Sequence, residues 1–180
     1  KLPNATLSIY GAYASQKIED LHNESQGFLV KGRVEDSLEV TKQVKVSLSP
    51  LRFGAGIKGK LTEAMVCGTP SVTTTIGAEG MCDRFPWPGF VEDNFSDFAL
   101  ISVEIYRNKN TWQNAQETGV HVINYIYDKE KLSPIFISKI QEIQQNLEQH
   151  RTQNFLGSLL QHQTLQATKF MSKWIEAKNK

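Results

Sequence analysis

Residues 50–72 read PLRFGAGIKGKLTEAMVCGTPSV, and this stretch decides the fold. Its pattern is that of a strand end, a glycine-rich loop, a short helix and a buried strand. Gly54, Gly56 and Gly59 sit with Lys58 and Lys60 where the helix begins. Glycines let a ligand come close to the backbone, and free N–H groups at a helix start attract anions. Glu63 follows within about two turns of that start. Amides and lysines that attract phosphate, beside one carboxylate, suit a nucleoside diphosphate. The carboxylate is then placed to accept hydrogen bonds from ribose hydroxyls.

Working outward, strands are expected over residues 5–10, 28–31, 44–48 and 71–75, and helices over 15–21, 37–43 and 57–67. Strands alternating with short helices imply β-α-β units and a parallel sheet. Short apolar runs such as Phe28-Leu29-Val30 fit strands buried on both faces. The expected class is therefore α/β, a three-layer Rossmann-like parallel sheet with a helical C-terminal extension. In open sheets of this kind ligands bind beyond the C-terminal ends of the strands. Gly11, Gly32, Pro50 and Thr75 lie at such ends, so the Gly32-Arg33-Val34 turn and the glycine loop should meet on one rim. After Arg84 the composition changes. Residues 83–93, DRFPWPGFVED, are turn-rich. A helix capped by Asp93 or Asn94 follows, then helices over 111–127 and 134–149, the latter striped by Ile137, Ile140, Ile143 and Leu147.

Length and composition set further bounds. One domain is the default for 180 residues, and an apolar fraction of 39% fits an ordinary globular chain. A net charge of +1 gives no global field for nucleic acid. Cys67 and Cys82 make neither a disulfide framework nor a metal set, which points to a reducing, cytoplasmic compartment. No apolar run approaches the ~18 residues of a membrane span, and no signal peptide is visible. His22, His121, His150 and His162 show no metal spacing, and no Ser-His-Asp or Cys-His arrangement is legible. The expected metal and cofactor sets are empty. Residues 151–180 carry five basic side chains (Arg151, Lys169, Lys173, Lys178, Lys180) against Glu176, with Phe170, Met171, Trp174 and Ile175 nearby. Such a helix either packs its apolar stripe on a partner domain or lies peripherally on an anionic membrane surface.

The segment GAGIKGKLTEAMVCGTPSVTTTIGAEGM resembles the donor-binding segment of retaining GT-B glycosyltransferases, family 4. Glu63, Ala64, Met65, Gly68, Pro70, Val72, Gly77, Glu79 and Gly80 match that family's pattern in order and spacing. Ser71 stands where the pattern has a first Val, and Ala55 stands where it has the first of two glutamates. The starting PNATLSIYG, the VKGRVED segment and VKVSLSPL resemble successive strands of the family's C-terminal domain. Family members begin that domain with an earlier strand and an Arg/Lys element that binds the diphosphate, and neither is found here. The chain is accordingly expected to be about half of an enzyme, without the N-terminal acceptor domain.

The resemblance implies a donor site built from Gly54, Ala55, Gly56, Ile57, Lys58, Lys60, Glu63 and Ala64. Glu63 holds the ribose. The loop amides and a lysine hold the phosphates, and Lys60 is favoured over Lys58. Gly32, Arg33 and Val34 frame the nucleobase, or Arg33 merely pairs with Glu35 or Asp36. Glu79 closes the pocket, or only makes a turn. No residue is singled out as catalytic, because retaining transfer in this family relies on the departing diphosphate to assist attack on the same sugar face. Residues 1–150 would be the nucleotide-sugar-binding domain, and 151–180 the helix that crosses to the missing domain. The expected function is donor binding for hexose transfer to a glycan or lipid-linked acceptor in bacterial-type polysaccharide synthesis. A non-catalytic α/β binding module is the alternative, and a sugar-nucleotide epimerase a third.

Overall fold

A computed structural model describes residues 2–178 of the chain. The side chains of residues 162–165 lie outside that description. The expectations for His162 and Lys180 therefore fall outside the described residues. Contacts divide the chain into two units, Lys1–Asp128 and Lys129–Lys180.

Among the described residues the first unit contains five strands. Strands β1 (Leu7–Tyr10) and β2 (Phe28–Gly32) form one parallel pair. Strands β3 (Ser47–Ser49), β4 (Ser71–Thr73) and β5 (Gly89–Val91) form a second sheet, also all parallel. Helices alternate with the strands: α1 (Gln16–Glu19), α2 (Ser37–Lys42), α3 (Gly59–Val66) and α4 (Thr75–Ala78). Two longer helices follow, α5 (Phe95–Arg107) and α6 (Lys109–Ile126). This is a Rossmann-like α/β arrangement, as the alternating pattern requires.

Local chemistry explains most boundaries. The Asp36 carboxylate accepts from Leu38 and Glu39 amides at the start of α2, and Asn94 and Asn108 do the same for α5 and α6. Helix α3 stops in a Schellman turn: the Gly68 amide bonds the Met65 carbonyl and the Thr69 amide bonds the Ala64 carbonyl, with Gly68 at φ +66°. Other boundaries differ from expectation. Helix α3 starts at Gly59 rather than residue 57, because Lys58 is extended and serves as N-cap. Strand β4 ends at Thr73, because the Thr74 hydroxyl accepts from the Gly77 amide and opens α4 where a turn was expected. The proline-rich stretch conceals β5, an edge strand whose backbone crosses Ser71 so closely that only glycine fits at position 89 (φ +141°).

Burial is concentrated between residues 49 and 122. Leu61, Met65, Met81, Cys82 and Val122 make one cluster, to which α3 and α6 contribute. Val72, Phe98, Ile105 and Ala115 make another, drawn from β4, α5 and α6. Each such large side chain contributes about 1.5–3 kcal/mol by leaving water. Cys67, near the end of α3, is only half-buried.

The second unit is helical: α7 (Lys129–Gln145), α8 (Leu147–Gln153) and α9 (Phe155–Lys178). Pro134 sits inside α7 rather than at its start. Ile135, Phe136, Phe155, Leu156 and Leu160 are each at least 65% exposed, so this unit has no core among its described residues. No described helix is long and apolar enough to cross a membrane.

Candidate functional site

The glycine loop leaves β3 at its C-terminal end and enters α3, and the Thr74–Gly80 turn leaves the adjacent β4. The chain thus puts both on the rim where such sheets bind ligands. Three hydrogen bonds fix the rim. The Thr74 hydroxyl donates to the Leu51 carbonyl at 2.6 Å. The Thr73 hydroxyl donates to the Ser49 carbonyl at 2.9 Å. The Lys58 ammonium donates to the Glu79 carbonyl at 3.0 Å.

Lys58 is 8% exposed, and its amide points at the Met81 sulfur, 3.4 Å away. Met81 is held in turn by Tyr127, whose hydroxyl donates to the Met81 carbonyl at 2.7 Å. Burial is the main reason the Tyr127 phenol is pushed up, with a contribution from Cys82. Lys58 therefore ties the glycine loop to the acidic turn. Lys60 is exposed, and it stands three residues before half-buried Glu63, which places the two on one face of α3. No ion pair joins them. Leu61, Ala64 and Met65 face the interior, so the Ala64 side chain is core and offers nothing to the rim.

Gly54, Ala55, Gly56 and Ile57 are all exposed. A side chain at Gly54 would meet the Lys58 stem and Ile76 at 3.8 and 4.0 Å, so the loop already lies against the turn. Gly56 has φ +65°, a conformation that favours glycine. Lys58 caps α3 without a side-chain hydrogen bond; the Leu61 amide bonds the Lys58 carbonyl at 2.9 Å, which leaves the Gly59 and Lys60 amides to other acceptors. Thr75, Ile76, Ala78, Glu79 and Val91 line an open cleft of about 380 Å3 beside this loop.

Gly32 and Val34 are half-buried and Arg33 is exposed. No hydrogen bond joins them to residues 54–58. Arg33 makes no ion pair with Glu35 or Asp36; Asp36 caps α2 instead. Helix α2 packs on α3: the Cys67 thiol donates to the Leu38 carbonyl at 3.6 Å and the Thr69 hydroxyl to the Thr41 carbonyl at 2.9 Å. Burial pushes the Cys67 thiol up, against an opposing pull from Lys42. Since Glu63 and Cys67 are four residues apart, the first turn of α2 lies along the α3 face that also bears Glu63.

Two partners of the rim were missed in the sequence. Asp93 accepts from the Thr75 amide at 2.8 Å and from its hydroxyl at 2.6 Å, which holds the Asp93 carboxyl below its usual range. Arg52 lies 5.6 Å over the Phe95 ring at the loop's base. The Asp93–Asn94 cap signal was visible, but a pairing 18 residues back to Thr75 has no local signature. His121 is exposed and packs edge-on against Phe85 and beside Tyr125.

The parallel α/β sheet thus carries its glycine loop into a helix at the rim where open sheets of this class bind ligands. The family model for glycosyl transferases group 1 matches residues 1–99, more than half of the chain, and the chain belongs to that family. Among solved structures it is similar in fold to the crystal structure of TarM, with a TM-score of 0.59 and 18% sequence identity. The likeness covers 74% of this chain and 28% of that one, so the chain spans less than a third of the TarM chain. A search of curated protein sequences finds no match.

Proposed function

We propose that residues 1–150 are the donor-binding domain of a retaining glycosyltransferase and that residues 151–180 cross to an acceptor domain. The donor is a nucleoside-diphosphate sugar, and the parent protein moves its hexose to a glycan or lipid-linked acceptor. One observation carries this: the buried Lys58 holds the glycine loop against the Thr74–Gly80 turn, beside the face that bears Lys60 and Glu63. In this reading Glu63 accepts from the ribose hydroxyls. The loop amides of Gly54, Ala55, Gly56 and Ile57, with Lys60, hold the diphosphate, and Lys58 sets their spacing. Gly32, Arg33 and Val34 take the base, and Glu79 bounds the cleft. The site's chemical task is to stabilise charge developing on the leaving diphosphate. No resident metal or cofactor is invoked, and no nucleic acid. The proposed location is the cytoplasm, at the inner face of the membrane where lipid-linked acceptors lie.

Calorimetric titration of UDP, GDP and ADP tests this, with Glu63→Ala alongside. One nucleotide should bind, and the variant should weaken it at least tenfold, about 1.4 kcal/mol. No binding, or binding indifferent to Glu63, would favour a non-catalytic α/β module. The 180-residue chain alone should transfer little or no sugar, and robust transfer to an added acceptor would overturn the division into halves.

A further inference from the structure

The glycine loop carries one more cation, and the sheet fixes where it lies. Ser49, Thr73 and Val91 stand in register across β3, β4 and β5, so the three strands end side by side. Arg52 comes three residues after Ser49, and Phe95, the first residue of α5, comes four after Val91. β3 and β5 flank β4, which puts them about 9.5 Å apart, two strand spacings. Yet the Arg52 guanidinium sits 5.6 Å from the centre of the Phe95 ring. The Arg52 side chain therefore reaches past the end of the central strand, at the rim where such sheets bind ligands. Its backbone is anchored next door, where the Leu51 carbonyl accepts from Thr74.

The hold on the guanidinium is weak. Arg52 is exposed and Phe95 is 56% exposed, and a cation–π contact in water contributes little. Among the described residues Arg52 has no hydrogen bond and no ion pair, so its N–H donors have no protein acceptor. The carboxylates on the chain leading to Phe95 are committed elsewhere. Glu92 accepts from the Asn94 amide at 2.8 Å, and Asp93 accepts from Thr75. Lys58 of the same loop is buried and spent on the Glu79 carbonyl. A guanidinium with its full donor capacity thus lies on an aromatic face at the ligand rim. Its planar fork matches pairs of phosphate oxygens.

We propose that Arg52 is a further donor-site residue, whose guanidinium exchanges the Phe95 face for the diphosphate of the nucleotide and donates a forked pair of hydrogen bonds to its oxygens. Phe95 is a positioning residue: it keeps the guanidinium extended over the rim, so little ordering is left for the ligand to impose. The exchange is favourable because charge-assisted hydrogen bonds to phosphate are stronger than an exposed cation–π contact. This inference rests on the donor-domain reading and adds a contact made to phosphate rather than to ribose or base.

Calorimetry with UDP, GDP, ADP and inorganic pyrophosphate separates the outcomes, on the chain and on Arg52→Gln, Arg52→Lys and Phe95→Leu. Arg52→Gln should weaken the nucleotide that binds at least tenfold, and pyrophosphate by a similar factor, because both present the diphosphate. Arg52→Lys should recover only part of that loss, since an ammonium lacks the fork. The Arg52 Nε–H proton resonance reports the movement directly. The Phe95 ring current should hold it at high field, nucleotide should release it, and Phe95→Leu should abolish the starting shift and weaken nucleotide only a few-fold. Nucleotide binding that falls in Glu63→Ala but not in Arg52→Gln would overturn the proposal and leave the donor-domain reading standing, as would an Nε–H resonance that nucleotide does not move. Pyrophosphate binding that needs Arg52, with no nucleotide bound more tightly, would keep the Arg52–diphosphate contact and overturn the nucleotide reading. Binding of neither probe would overturn both.

Discussion

Ser71 offers a test with an internal control. It is 1% exposed on the central strand of the three-stranded sheet, and its hydroxyl has no hydrogen-bond partner. Two positions on, the equally buried Thr73 donates its hydroxyl to the Ser49 carbonyl at 2.9 Å. A buried polar group without a partner costs about 1–3 kcal/mol, whereas a satisfied one contributes about 0.5–1.5. Removing the Ser71 hydroxyl leaves the β-carbon and the ladder in place. It also leaves the Ser71 carbonyl, which accepts from the Trp87 indole at 3.3 Å. Ser71→Ala should therefore stabilise the first unit by roughly 1 kcal/mol, or roughly 3–5 °C for a unit of this size. Thr73→Val keeps the shape, removes a made bond, and should cost about 1 kcal/mol. Both are read from urea unfolding followed by circular dichroism, with the slope unchanged so that the midpoint reports stability. The opposite signs are the test. A Ser71→Ala chain no more stable than the parent would show that the hydroxyl is satisfied, and the cost assigned to the orphan would be wrong.

Further outcomes follow from the same geometry. Lys58→Met retains the buried stem but cuts the tie to Glu79, so exchange of the amides in the 77–81 turn should quicken; Lys60→Met should leave that exchange unchanged and weaken the nucleotide seen by calorimetry. Gly77→Ala would drive a methyl into the buried Thr73 hydroxyl, and loss of several degrees of melting temperature is expected. Iodoacetamide at pH 8 should label Cys67 well before Cys82, since burial pushes the Cys82 thiol to about 11; mass spectrometry of the peptides decides it. The same shift has a sign for stability. The unfolded Cys82 thiol ionises near 9 and the folded one near 11, so stability should fall between those pH values, and Cys82→Ala should flatten the fall. At the acid end Asp93 works the other way. Its folded carboxyl lies below 3.8, so the stability it lends is present above that value and is lost as pH falls through the depressed one. Asp93→Asn should remove that part of the acid limb in a pH series of melting curves.

The alternation of strands and helices, the glycine loop before α3 and a cap at Asp93 or Asn94 were legible in the sequence, and the structure gives the cap to Asn94. Each is written in neighbours fewer than about five residues apart, where periodicity, capping and left-handed turns leave a signature. The sequence also showed that Glu63 and Lys60 share a helix face, since that follows from a spacing of three. The tertiary structure alone decided the rest. That Lys58 is buried and grips Glu79, while Lys60 stays in water, depends on a contact across 21 residues. The Thr75–Asp93 pair spans 18, and the strand at Gly89–Val91 exists because β4 pairs with it, not because three residues prefer to be extended. The orphaned hydroxyl of Ser71 likewise has no mark in the sequence beyond a small polar residue where the family pattern has Val. Long-range packing sets burial, and burial decides whether a lysine serves as a tether, like Lys58, or stays in water, like Lys60.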